Sequence, residues 1–280
     1  MLRAIRYTYG LTWRFMKAAP LIVLAIIAVE GAQHVAEWLT GMYASPEAAK
    51  AAQFHPARMA IGTVKTILLE FVIYWIARFA LGGEDISHAF ASDRDALRRF
   101  SMVILFTLVI GVAMQGIQAL PMDGMSRALV LIVLISFMLG SLLLQVALTP
   151  WIVGAAVGDP KATPIFALRQ SMGQLLRGFA FTLVIMLPPM IVHYVLGGLA
   201  IVRPGRLGMI LLAADSIFVA FLGVLIAASS VTIAYRVARR RGYSIDGLGG
   251  AAQSIPALDG SGARAGTPDP QNSGQRAIES

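Results

Sequence analysis

The chain has 280 residues, 57% of them apolar and only 14% charged, with a mean hydropathy of +0.72. Soluble domains carry roughly 25% charged residues, and a chain this poor in charge cannot solvate a globular surface, so a soluble protein is excluded. The formal charge of +8 would suit nucleic acid, but the Lys and Arg residues flank apolar segments, so no nucleic-acid partner is expected. With no cysteine, disulfides, thiolate metal sites and Cys nucleophiles are excluded as well.

The N-terminal arm carries Arg3, Arg6, Arg14 and Lys17 and no acid. It leads into the first apolar run, Ala18–Leu39. A signal peptide is the competing assignment, but Glu30-Gly31-Ala32 is a poor cleavage site, so the run is taken as a retained spanning helix. Ala57–Leu81, Phe100–Leu120, Ala128–Thr149, Phe179–Leu199 and Leu207–Tyr235 follow as further spans. Each is long enough at about 1.5 Å per residue to cross a hydrocarbon core about 30 Å thick. Barrel-type alternation is absent, so backbone satisfaction in lipid requires helices. The fold class is therefore all-α, a polytopic membrane protein with about six spans.

The first two spans hold charges that lipid would penalise. Glu30, His34 and Glu37 fall on one helical face at i, i+4 and i+7, and the second span holds Lys65 and Glu70. Counted from the outer ends of an antiparallel hairpin, Glu30 and Lys65 share a depth of about 12–14 Å, so the two can pair. An isolated charge at a helix centre costs about 2.5–3.5 kcal/mol on insertion scales, so the group should turn inward. Two readings stand: a polar clasp that holds the hairpin, with Glu37 at the interface, or a proton or ion path with His34 as relay. Two ligands on one helix do not make a metal site without partners, so neither metal nor cofactor is expected.

Farther along, Gln115, Gln118 and Gln145 are expected to bridge helices. Gly154-x-x-x-Gly158 and Ser136-x-x-x-Gly140 permit close helix contact. Thr163–Arg177 reads either as a helix lying on the membrane, capped by Thr163 with Pro164 at the first position, or as a short soluble connector packed on the helix ends. Its Ile165, Phe166, Leu168, Met172, Leu175 and Leu176 form one face. Pro188-Pro189 should kink or break the fifth span. His193 reads as a bonded interior histidine, and Asp215 as an interfacial residue or cap. From Ser244 to Ser280 the composition turns to Gly, Ser, Pro, Ala, Asp and Gln, which cannot offset its ordering entropy. The chain thus divides into a transmembrane domain, 1–243, and a disordered tail, 244–280.

Basic residues crowd the arm, the second connection (Arg94, Arg98, Arg99), the fourth (Lys161, Arg169, Arg177) and the C-terminal flank (Arg236, Arg239, Arg240, Arg241). The positive-inside rule then predicts both termini in the cytoplasm. Trp13-Arg14-Phe15, Leu97–Phe100 and Leu176–Phe179 recur at roughly eighty-residue spacing, which suggests three helical hairpins, each introduced by an interfacial segment. Ordinary basic and aromatic flanks of inward-starting spans give the same pattern. Arg98, Arg99, Arg169 and Arg177 are the candidate contacts to headgroups or a partner.

Pro150, Gly158-Asp159-Pro160, Phe166–Ser171 and Leu176-Arg177-Gly178-Phe179 run into a proline-interrupted span. Over Pro150–Arg236 this resembles the second half of a group of uncharacterised bacterial six-helix inner-membrane proteins. The group includes the YciC-like proteins and the membrane domain found with some glycerophosphodiester phosphodiesterases. The resemblance implies a bacterial inner-membrane location. It carries over no catalytic residue, because that phosphodiesterase chemistry belongs to a separate soluble domain. No Walker loop, nucleophile elbow or HExxH motif occurs. The first functional expectation is a non-enzymatic component contacting anionic lipids, a partner membrane protein or a second copy of itself. The second is a small transporter using Glu30, His34, Lys65 and Glu70.

Overall fold

A computed structural model describes residues 1–119, 126–203 and 205–243. The side chains of Gln115 and Gln118 and the tail 244–280 lie outside the described residues. Among those described, no strand occurs and six helices are long and apolar enough to cross a membrane.

The basic arm forms a helix of its own, α1 (Leu2–Ala18), where the sequence pattern suggested only a flank. It ends because Pro20 has no amide to donate and disfavours helical backbone at Ala19, which sits at φ −125°, ψ 57°. Ala4, Thr8, Leu11, Thr12 and Phe15 form its buried stripe, the i, i+4, i+7 spacing of an amphipathic helix. The first hairpin is α2 (Pro20–Leu39) and α4 (Pro56–Leu81), with the short α3 (Pro46–Ala52) between them. The connection after α4 holds α5 (Ile86–Phe90). The second hairpin is α6 (Arg94–Ala119) and α7 (Arg127–Ala156).

Thr163 caps α8 (Pro164–Ser171), its hydroxyl accepting from the Phe166 amide. This amphipathic segment is shorter than the spacing predicts: a 3-10 turn over Met172–Gln174 interrupts it, and Leu175–Arg177 already belong to α9 (Leu175–Val202). Ala167 and Ser171 face inward, while Ile165, Met172 and Leu176 are exposed. The third hairpin closes with α10 (Arg206–Arg241), which stops where Gly242 takes the left-handed conformation at φ 68°.

α10 is the central post, packed by α1, α2, α4, α7, α8 and α9. Small residues make this possible. A Cβ on Gly223 would lie 2.6 Å from Leu69 Cδ2, and Ala220, Ala227, Ala228 and Ala234 are buried along the same helix. Without a hydrophobic drive between helices in lipid, such close approach is what holds them. α1 docks on this post through Thr8, whose hydroxyl lies 2.8 Å from that of Thr232.

Several expectations are corrected here. α9 runs unbroken through Pro188-Pro189. Pro189 cannot donate to the Ile185 carbonyl, and that carbonyl instead receives a long 3.5 Å bond from the Tyr9 hydroxyl of α1. Gly154 meets Ala162 of the connection after α7, and Gly158 (φ +79°) turns that connection over Ala96, so the pair does not join two spans. Gly140 has open space around it. Gln145 is exposed and its side chain bridges no helices among the described residues.

Candidate functional site

At the end of the bundle away from the N-terminus, α2, α4, α9 and α10 enclose a charged cluster. Its members lie at matched depths because the helices are antiparallel. Glu30 lies nine residues from the end of α2, Lys65 nine from the start of α4, His193 nine from the end of α9 and Asp215 nine from the start of α10. Nine residues rise about 13.5 Å. Glu37 and Arg58 each stand two residues from the same helix ends.

Lys65 Nζ lies 2.8 Å from Glu30 Oε2. It is an ion pair without hydrogen-bond alignment, since Oε2 has no hydrogen-bond partner. His34 stands at the centre: its Nε2 is 3.6 Å from Glu30 Oε1 and 3.4 Å from Asp215 Oδ2, and its Nδ1 is 3.1 Å from Glu37 Oε2. Glu37 is no interfacial bystander. It accepts from Arg58 Nε at 2.8 Å, from Gln33 Nε2 at 2.9 Å and from the Tyr43 hydroxyl at 2.5 Å. Burial, followed by the bond to the Glu37 carboxylate, pushes the Tyr43 hydroxyl well above the ordinary tyrosine value, so it serves as a donor.

Asp215 is the largest correction at this site. Expected as a wet interfacial residue or cap, it is 1% exposed, and His193 Nδ1 holds its Oδ1 at 2.8 Å. Counting depth along α9 and α10, as was done for Glu30 and Lys65, would have placed Asp215 and His193 beside that pair. Three carboxylates (Glu30, Glu37, Asp215) face two fixed cations (Arg58, Lys65). One negative charge is left for a histidine proton or a bound cation to balance, and an unbalanced charge here is costly.

Glu70 does not join this group. It lies five residues deeper than Lys65, about 7.5 Å along the helix, buried against the Thr107 hydroxyl of α6. The four arginines named with it lie at the other end of the molecule. Arg98 and Arg99 stand in the first turns of α6, Arg169 on α8 and Arg177 at the start of α9. Arg98, Arg169 and Arg177 are exposed and Arg99 half-buried. The neighbouring Arg78 has a different job: buried against the Tyr74 ring, it donates to Asp93, to His88 O and to Ala91 O and so pins the α4–α6 connection.

Comparison with protein-family models, curated proteins and solved structures found no match for this chain.

Proposed function

We propose that this protein is a non-enzymatic integral membrane component that retains anionic lipid headgroups at its basic end. The observation that carries the reading is the set Arg98, Arg99, Arg169 and Arg177, whose guanidinium groups have no ion-pair or hydrogen-bond partner among the described residues. Exposed apolar side chains of α1, α8 and the turn after it frame the set, including Trp13, Ile165 and Met172. Basic side chains beside an anionic leaflet gain about 1 kcal/mol each, and amphipathic segments of this kind lie along the headgroup layer. In this reading the basic end faces the cytoplasm of a bacterium and the spans cross its inner membrane.

Native mass spectrometry on protein extracted gently from its own membrane tests this. Bound anionic phospholipid is expected on the wild type and should be largely lost when all four arginines become alanine. Equal retention by the quadruple variant sinks the proposal, and a stoichiometric second protein would replace lipid with a protein partner.

A second reading, proton- or ion-coupled transport, has one observation in its favour. Glu70 is 6% exposed and its Oε2 has no hydrogen-bond partner, deeper in the bundle than the Glu30–Lys65 pair. Flux in reconstituted vesicles that Glu70→Gln abolishes would support it; equal flux in vesicles with and without the protein would end it.

A further inference from the structure

We propose that Glu30, His34 and Asp215 bind one divalent transition-metal ion of the zinc type. The three side chains come from two helices, and one ligand atom of each, Glu30 Oε1, His34 Nε2 and Asp215 Oδ2, lies within 4.8 Å of the others. Bonds of 2.0–2.1 Å at tetrahedral angles put ligand atoms about 3.3–3.4 Å apart. The separations from His34 Nε2 to the carboxylate oxygens are 3.4 and 3.6 Å. Octahedral magnesium, with bonds of about 2.0–2.1 Å, needs about 3.0 Å between neighbouring ligands, so the spacing suits a four-coordinate ion.

The partners of these groups argue the same way. Metal-binding imidazoles and carboxylates are oriented by groups that hold their other atom, and here all three are. Glu37 Oε2 and the Tyr43 hydroxyl hold His34 Nδ1, which leaves Nε2 directed at the carboxylates. His193 holds Asp215 Oδ1, and Lys65 stands at Glu30 Oε2. Two of the three inward atoms are unsatisfied. Asp215 Oδ2 and His34 Nε2 are buried with no hydrogen-bond partner, although buried polar atoms are nearly always bonded.

Charge also fits. The cluster carries one uncompensated negative charge while both histidines are neutral, and an imidazole must be neutral to ligate. A dication carrying a hydroxide in the fourth position, as zinc-bound water forms near neutral pH, balances the whole group. Lys65 is 22% exposed and has room to lean outward as the ion enters. A cavity of about 220 Å³ between α2 and α10, lined by Gly31, His34, Val35, Trp38, Met209 and Ser216, adjoins the imidazole. The sequence alone argued against a metal because it offered ligands from one helix; Asp215 supplies the missing cross-helix ligand.

The test uses full-length protein purified in detergent, stripped with chelator, reloaded with Zn²⁺ and assayed by elemental analysis and calorimetric titration. One zinc per chain is expected, with affinity falling at least tenfold in His34→Gln and in Asp215→Asn. His88→Gln, on α5 at the opposite end of the molecule, should bind as wild type. Loading the wild type with Co²⁺ gives a readout that needs no variant to fold: strong visible bands of a four-coordinate site are expected. Substoichiometric zinc, weak six-coordinate cobalt bands, or undiminished zinc binding by both ligand variants would each overturn the assignment.

Discussion

Glu30 and Lys65 are bound to each other by the cost of leaving either alone. Removing one partner of a fully buried pair costs about 3–5 kcal/mol, and an exposed pair is worth about 0–1. With Lys65 partly exposed, Glu30→Gln or Lys65→Met should each lower stability by about 1–3 kcal/mol. The double change should cost less than the sum of the two, read as thermal unfolding midpoints in detergent; additive losses would mean that the two side chains do not interact. Asp93 gives a pH prediction at the other end. Its carboxylate accepts from the Ala96 amide at 3.0 Å, capping α6, and also faces Arg78. Chiefly the amide bond, and secondarily Arg78, holds it below its ordinary value. A depressed folded value means that the stabilisation is complete above the unfolded value near 3.9 and fades as pH falls through the folded one. Asp93→Ala should therefore be less stable than wild type at neutral pH by about 1 kcal/mol, and the gap should narrow in acid. At this scale the sequence exposed the Glu30 face and its Lys65 partner, because charge in an apolar run stands out. It hid Asp215, whose place near a helix start looks wet until three other helices are seen to cover it.

Among the elements, α10 depends most on small residues. A side chain on Gly223 would meet Leu69 Cδ2, so Gly223→Val should force that leucine out of its place between α4 and α10. Overpacking of this kind costs about 1–3 kcal/mol. Thermal unfolding in detergent checks it, with Gly140→Val, which faces open space, expected to change little. The spans themselves were readable from length and hydropathy, since lipid permits few alternatives to a helix. Two elements were not. α1 looks like a basic flank because its apolar stripe is interleaved with Arg and Tyr, and its packing depends on Thr232, over two hundred residues away. The continuity of α9 through its prolines rests on neighbouring helices, which supply contacts such as that from Tyr9 to the freed Ile185 carbonyl.

For the whole molecule, the natural absence of cysteine makes a clean topology experiment available. The positive-inside rule predicts that a single cysteine at Ser45 reacts with a membrane-impermeant thiol reagent added outside intact cells, while one at Ser92 reacts only after permeabilisation. The opposite pattern would reverse the orientation, and reaction of both in intact cells would break the even-span topology. The three hairpins pack so that the charged cluster and the basic arginines occupy opposite ends, which separates the proposed metal site from the proposed lipid contacts. Losing zinc in Asp215→Asn should therefore leave lipid retention unchanged in the same mass spectra.

By itself the sequence determined the membrane class, the number of spans and the need for the buried charges to find partners, because the bilayer acts on each segment separately through hydropathy and charge. Tertiary structure alone decided which partners they found. Asp215, His193, Glu30 and His34 are scattered along nearly two hundred residues, and they meet because four antiparallel helices, drawn together around the small residues of α10, bring the same depth to the same point.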